Sequence, residues 1–401
     1  MDFVADSLLP KIDTTLISAV YVGEKQRVRV NINGEDLEYP LEWLRFNCQC
    51  KKCFNAICQS FIMSFKPFLT QVTTLLSVEV NKSDNTLRVV YSDDHVTEVT
   101  ADWLYKRRLT EEGKEERKEL IKIRKPVIWG DNHRVKKQSY DKVTAMGSGF
   151  IEFGETLAKD GIFVITDTPD RLVFNEFVEK TGLPVQFSHY GDSWVVENSP
   201  TPTNHAYTAV ELELHVDQPY LDSCLDIQYL HCMAQADEGG ESVMSDGLKA
   251  AQILRQRYPE HYNTLTTVCI EYEDVIGHST HGSKNYMASN TPVILLDREG
   301  EPEFLRINLL CRSSFFNGPV EDWEKLFPAL KELMKILQQC SVVFKNMPGD
   351  IMVFDNQRIL HGRQSYVSTQ RRRLEGWYSN WDSLLSQLRV HKIKNMSKLI
   401  D

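Results

Sequence analysis

The segment AVELELHVDQP (209–219) alternates apolar and polar residues, with Val210, Leu212, Leu214 and Val216 on one face and Glu211, Glu213, His215 and Asp217 on the other. A strand's period of two would set His215 and Asp217 side by side. An imidazole beside a carboxylate can hold a metal ion, and a second histidine would complete a two-His, one-carboxylate triad with coordination positions left open for chemistry on Fe(II). His361, near the end of PGDIMVFDNQRILHGR (348–363), is the candidate. An H-x-D pair alone says little, because a lone histidine is more often a packed residue than a ligand. Its companions carry the reading. Arg372 lies in the strand-like QRRRLEGWY (370–378), and Ser242 ends the run GGES (239–242). A guanidinium fork and a hydroxyl can bind the distal carboxylate of a 2-oxoacid that chelates the iron, leaving one position for oxygen. The set reads as a 2-oxoglutarate oxygenase. Arg371 and Arg373 leave the register open by one residue, since alternation turns Arg372 away from both neighbours.

A second set lies upstream. Of nine cysteines, Cys48, Cys50, Cys53 and Cys58 fall within WLRFNCQCKKCFNAIC (43–58), while Cys224, Cys232, Cys269, Cys311 and Cys340 are scattered and read as small buried hydrophobes. In a reducing compartment such a cluster points to metal rather than to disulfides. C-x-C-x2-C gathers three thiolates on a tight turn, and tetrahedral Zn(II) then needs one more ligand.

The elements that must position these groups divide by pattern. Short alternating runs such as VYVGEKQRVRVNING (20–34) and NTLRVVYSDDHVTEV (85–99) read as hairpins, so residues 1–109 form a small β-rich domain. The charged run 110–126, ending at Pro126, reads as a solvated helix in a connector over 110–140. From 141 to 401, amphipathic helices (150–166, 248–265, 321–339) accompany strands at DIQYLHCM, PVILLD, EFLRINLL, CSVVFKNM, DIMVFDN and RRRLEGWYSNW. These lack βαβ alternation and a glycine-rich phosphate loop. The expected class is α+β: a double-stranded β-helix (jelly-roll) catalytic domain with flanking helices, behind a small β-rich zinc-binding N-terminal domain.

Composition sets the bounds. At 401 residues, 42% hydrophobic and 25% charged, the chain is neither low-complexity nor disordered. A net charge of −10 disfavours nucleic acid and anionic lipid as partners. No apolar run reaches the ~20 residues that span a bilayer, and Asp2 and Asp6 at the start are unlike a secretory or transit leader. The expected location is cytoplasmic.

The chain also resembles the γ-butyrobetaine hydroxylase and trimethyllysine hydroxylase family, relatives of taurine dioxygenase, over nearly its whole length. The resemblance rests on WLRFNCQCKKC, ADWL (101–104), YGDSW (190–194), NHAYT (204–208), LHC (230–232), NMPGD (346–350), FDNQRILHGR (354–363) and LEGWYSNWD (374–382), which follow in family order. It implies that His215, Asp217 and His361 hold iron, that Arg372 and Ser242 bind 2-oxoglutarate, and that ascorbate is a further candidate cofactor. It implies a quaternary ammonium substrate, with Tyr190, Trp194, Tyr207 and Tyr378 matching an aromatic cage suited to a cation without hydrogen-bond donors. Asn204 matches a contact to the substrate carboxylate, and His95 matches the fourth zinc ligand, with Cys58 as its rival. By analogy the chain forms a homodimer.

The implied reaction is hydroxylation of a trimethylammonium compound, γ-butyrobetaine to L-carnitine first. Trimethyllysine, another betaine, or non-catalytic binding of a trimethylammonium group are the alternatives. Two positions depart from the butyrobetaine pattern: Leu310 replaces an asparagine that contacts the substrate carboxylate, and Gln218 replaces a tyrosine after the iron aspartate. Tyr220 resembles the trimethyllysine branch instead.

Overall fold

The computed structural model describes residues 11–69, 73–130, 133–188, 190–198, 205–276, 285–367 and 369–398. The chain divides into two compact units, one formed by residues up to Ile123 together with those from Arg389 onward, the other by Arg124–Leu388.

The first unit holds two antiparallel three-stranded sheets, Leu16–Val22, Arg27–Ile32 and Glu35–Pro40 in one, Leu75–Asn81, Thr86–Tyr91 and Val96–Thr100 in the other. The alternation of RVRVNI does what a half-buried strand requires: Val28, Val30 and Ile32 are buried and the residues between them are not. Its hairpin turns on Asn33 and Gly34, both at positive φ, which is the backbone a two-residue turn needs to match strand twist. Val28, Val30 and Tyr39 of one sheet share a core with Leu87, Val89 and Tyr91 of the other. The charged helix runs Glu111–Ile121, is capped by the Thr110 side chain and buries no residue, as its composition demands.

The second unit is built on two sheets. Six strands run in the order Ser193–Glu197, Arg373–Ser379, Ile227–Ala234, Ile351–Asp355, Ile162–Thr166 and Lys137–Ser139, and four in the order Leu212–His215, Ile359–Arg363, Ser242–Asp246 and Val342–Phe344. All pairings are antiparallel except that of the 137–139 edge. Leu230, Met352, Phe354 and Leu374 of the larger sheet share a core with Met244 and Ile359 of the smaller, so the inner faces pack on each other. On the smaller sheet's other side, Leu214, Val216 and Leu360 join a core with the helices Gly247–Arg257, Pro259–Thr267 and Val320–Gln339. No described helix is long and apolar enough to cross a membrane.

Several expected strands are shorter than their patterns, CSVVFKNM among them, strand only over Val342–Phe344. The run 209–219 is strand only over Leu212–His215, with a register shift against Ile359–Arg363, and Asp217 lies beyond its end. Tertiary bonds interrupt the alternation: the Val216 amide donates to the Ile307 carbonyl and the Asp217 amide to Asn356 Oδ1, while Gln218 takes φ +54°. Likewise EFLRINLL is strand only over Pro302–Leu305, because Asn308 caps a short 3-10 turn at Leu309–Cys311 by accepting from the Leu310 amide.

Strand Ile359–Arg363 is buried along its whole length. It begins beside a buried ion pair: Arg358 Nη2 meets Asp246 Oδ2 at 2.8 Å and its Nε donates to Oδ1 at 3.0 Å. Nη1 donates to the Lys159 carbonyl and Nη2 also to that of Val127. A charge so fully satisfied locks its strand in place, and removing either partner would cost about 3–5 kcal/mol.

Candidate active site

His215 ends one strand of the smaller sheet and His361 sits in the middle of its neighbour, directly paired across the ladder. Gly362 lets these strands approach, since a Cβ there would lie 2.6 Å from the Leu212 carbonyl oxygen. The two rings have centroids 4.2 Å apart. Asp217 Oδ1 reaches them from the turn, 3.2 Å from His215 Nε2 and 3.6 Å from His361 Nε2. His215 Nδ1 donates to the Glu213 carbonyl at 2.7 Å, which fixes the tautomer and leaves the Nε2 lone pair for a metal. Burial, and then the His215 ring, push His361 down to about 3. Burial alone would raise the Asp217 carboxyl, but His361, His215 and Tyr378 hold it well below the ordinary carboxylate range. Two imidazoles and one carboxylate, with ligand atoms all within 4.8 Å of one another, fit a divalent iron.

The other Asp217 oxygen, Oδ2, accepts from the Tyr378 hydroxyl and from Gln228 Nε2, each at 2.8 Å. Asn356 donates to the Asp217 carbonyl at 3.1 Å. These bonds aim the carboxylate, a task that outer-shell partners of metal ligands commonly perform.

All three groups line a cavity of about 420 Å³. Of the three consecutive arginines, Arg372 alone lines it; Arg371 pairs with Glu197 at 2.9 Å and Arg373 stands 3.9 Å from the same carboxylate. Arg372 is 5% exposed, and its Nε has no hydrogen-bond partner among the described residues, a cation suited to an incoming carboxylate. Ser242 also lines the cavity, its Oγ accepting from Asn346 Nδ2 at 3.4 Å. Tyr190, Trp194, Tyr207 and Tyr378 line it as well. Trp194 stacks on Tyr378 with centroids 4.5 Å apart and lies 6.1 Å from Tyr190. Gly376 makes this possible, because a Cβ there would stand 2.5 Å from the Trp194 ring. Asn204 lies outside the described residues.

Arg363 is a site residue that pattern reading passed over. It lines the cavity and donates to the Thr208 carbonyl at 2.9 Å and to those of Ala206 and Val210, which ties the segment bearing Tyr207 to the strand bearing His361. Its position two residues after His361, on the same strand face, was the available signal. Gln228 and Asp274, which also line the cavity, carried none.

In the first unit, Cys48, Cys50, Cys53 and His95 converge, with His95 Nε2 at 3.2, 3.8 and 3.6 Å from the three sulfurs. Cys58 is exposed, and its sulfur meets Ser60 Oγ at 2.9 Å instead.

Residues 138–378 match the taurine catabolism dioxygenase TauD, TfdA family, and residues 23–105 match the gamma-butyrobetaine hydroxylase-like N-terminal family. The chain belongs to the TauD/TfdA family and is a 2-oxoglutarate-dependent dioxygenase. It is 29% identical over 368 residues to gamma-butyrobetaine dioxygenase of Pongo abelii, spanning 89% of this chain and 92% of that protein. To the mitochondrial trimethyllysine dioxygenase of Rattus norvegicus it is 26% identical over 367 residues, spanning 88% and 83%. Among solved structures, asparagine oxygenase in complex with Fe(II), 3-hydroxyasparagine and succinate is 16% identical, with a TM-score of 0.44 over 61% of this chain and 94% of that one.

Proposed function

We propose that this chain hydroxylates a C–H bond of a trimethylammonium compound, with γ-butyrobetaine to L-carnitine as the first candidate and trimethyllysine or another betaine as the second. The observation that carries the reading is that Tyr190, Trp194, Tyr207 and Tyr378 line the same cavity as His215, Asp217 and His361. Faces of aromatic rings attract a quaternary cation by ~0.5 to 2 kcal/mol each, and a wall of them beside a metal site sets one substrate carbon toward it.

When bound, iron supplies oxidative decarboxylation of 2-oxoglutarate by O2, to succinate and carbon dioxide, coupled to oxygen insertion into the substrate C–H bond. The protein's part is positioning. His215 and His361 offer Nε2 lone pairs, and Asp217 is aimed by Tyr378 and Gln228. Arg372 takes the distal carboxylate with Ser242 beside it. Tyr378 has two tasks, since its ring belongs to the cage and its hydroxyl to the Asp217 network. Zn(II) held by Cys48, Cys50, Cys53 and His95 completes the reading. Four protein ligands saturate a tetrahedral ion and leave no place for water, which makes that site structural. Oxygen-dependent succinate release, stimulated by one member of a panel of quaternary amines and accompanied by a product 16 mass units heavier (the ~16 Da of one inserted oxygen), is the expected result. Succinate release indifferent to every quaternary amine would remove the substrate class.

A further inference from the structure

The segment that carries Tyr207 has little regular backbone structure. It makes one short 3-10 turn at His205–Tyr207, and residues 208–211 lie in neither helix nor strand. Carbonyls in such a segment need donors from elsewhere to be held in one arrangement. Arg363 supplies them. Its Nη2 donates to the Thr208 carbonyl at 2.9 Å and to that of Val210, and its Nη1 to that of Ala206 at 3.5 Å. Just beyond, the Tyr366 amide donates to the Ala209 carbonyl at 3.1 Å. The carbonyls on both sides of Tyr207, those of Ala206 and Thr208, are thus fastened to one guanidinium two residues from His361.

Arg363 is 4% exposed, and its bonds run to backbone carbonyls rather than to a carboxylate. Burial, and then the neighbouring Arg372, push it down to about 10. Both guanidinium groups face the Tyr366 ring, 4.9 and 5.9 Å from its centroid. A buried cation beside a like charge is costly to keep, and the three carbonyl bonds offset that cost only while the segment stays in place. Trp194 and Tyr378 need no such anchor, because each lies on a strand and those strands pair with each other. Tyr207 lies on no strand, and it sits near enough to Asp217 that burial, and then that charge, push its hydroxyl up.

We infer that Arg363 is a positioning residue for the cage: it acts on substrate binding through Tyr207, by fixing the backbone on both sides of that ring, and touches neither the quaternary group nor the co-substrate. This inference rests on the cage reading given above. The test is a double-mutant cycle on the full chain, loaded with iron in the absence of oxygen and titrated calorimetrically with 2-oxoglutarate and then with tetramethylammonium. Tyr207→Leu should weaken tetramethylammonium binding between about 2- and 30-fold, the weight of one ring face. Arg363→Met should also weaken it, by no more than that factor, and the double variant should bind as Tyr207→Leu does, because a ring already absent cannot be misplaced. Losses from Arg363→Met and Trp194→Leu should add. Arg363→Lys, with one nitrogen in place of a fork, should fall between wild type and Arg363→Met, and it carries the same cycle if Arg363→Met does not fold. Affinity for 2-oxoglutarate should be unchanged throughout. The rival role is direct contact, since Arg363 Nε has no hydrogen-bond partner among the described residues and suits a co-substrate carboxylate. Weaker 2-oxoglutarate binding with tetramethylammonium binding kept would show that role and overturn the inference. So would tetramethylammonium binding that no Arg363 variant changes, a Tyr207→Leu that costs nothing, or losses at the two positions that add in full. In each of these cases the wild type still binds tetramethylammonium and the cage reading stands. If the wild type does not bind it, the cage reading falls and takes the inference with it.

Discussion

The chain gathers side chains of metal-ligating type in two places, and the two are built in opposite ways. Cys48, Cys50 and Cys53 come from one short loop, and only His95 arrives from a separate hairpin. His215, Asp217 and His361 come from a strand end, a turn and the middle of a second strand, and they meet only because the sheet pairs His215 with His361. The first set offers four ligands and the second three. The second lines a cavity with two buried arginines and a wall of rings. A local, saturated set can organise a loop that has little core of its own, whereas an open set must be held by a fold already stable without the ion. The difference predicts that loss of one site removes activity and loss of the other removes stability.

Asp217→Ala should bring succinate formation to background with the fold retained, the thermal transition falling only by what the Tyr378 and Gln228 donors lose with their acceptor, about 1–3 kcal/mol each. Retained turnover would break the assignment of this site as the open one. Cys48→Ser should do the reverse: lower the stability of the first unit by at least about 3 kcal/mol, a part of the ~10–16 kcal/mol with which structural sites bind zinc, while the protein still folded turns over normally. Metal analysis after purification should find zinc lost from Cys48→Ser and kept in Asp217→Ala.

Smaller changes sharpen the contrast within the open site. Tyr378→Phe keeps the ring and removes the donor to Asp217, so iron affinity should fall about 10- to 100-fold while tetramethylammonium binding holds. Equal loss of both would mean that the hydroxyl and the ring cannot be separated. Trp194→Leu keeps apolar bulk over Gly376 and removes a π face, and the affinity for a quaternary ammonium ligand should fall up to about 30-fold, the weight of ~2 kcal/mol, with iron content unchanged.

What could be read from the residues alone follows the same division. The convergence of the cysteine loop was legible because its members are close in sequence and thiols have few other reasons to cluster. The open site was legible in its residue types but not in its geometry. Alternation over 209–219 placed His215 and Asp217 on one strand face, yet bonds from Ile307 and Asn356, remote in sequence, end the strand at His215 and turn the backbone at Gln218. The order of the three arginines was equally closed to local pattern; Glu197 on the neighbouring strand holds Arg371 and thereby leaves Arg372 to the cavity. Gln228 and Asp274 left no trace, since a glutamine in a strand acquires its task only when the sheet sets it against Asp217.

The smallest expected effect tests the closed site at its edge. Cys58 shares the loop with the other three cysteines, and spacing alone made it a rival to His95. In the fold its sulfur meets Ser60 Oγ at 2.9 Å, it is exposed, and it stands outside the group of four whose ligand atoms converge. Cys58→Ser should therefore leave the zinc content at one per chain, one ion filling one four-ligand site, and shift stability by no more than about 0.5 kcal/mol, the usual range for an exposed substitution. His95→Ala should lose the metal or hold it weakly. If the two variants behaved the other way round, the fourth ligand would be a thiolate, all four ligands would come from one loop, and the hairpin of His95 would no longer be tied to it through the metal.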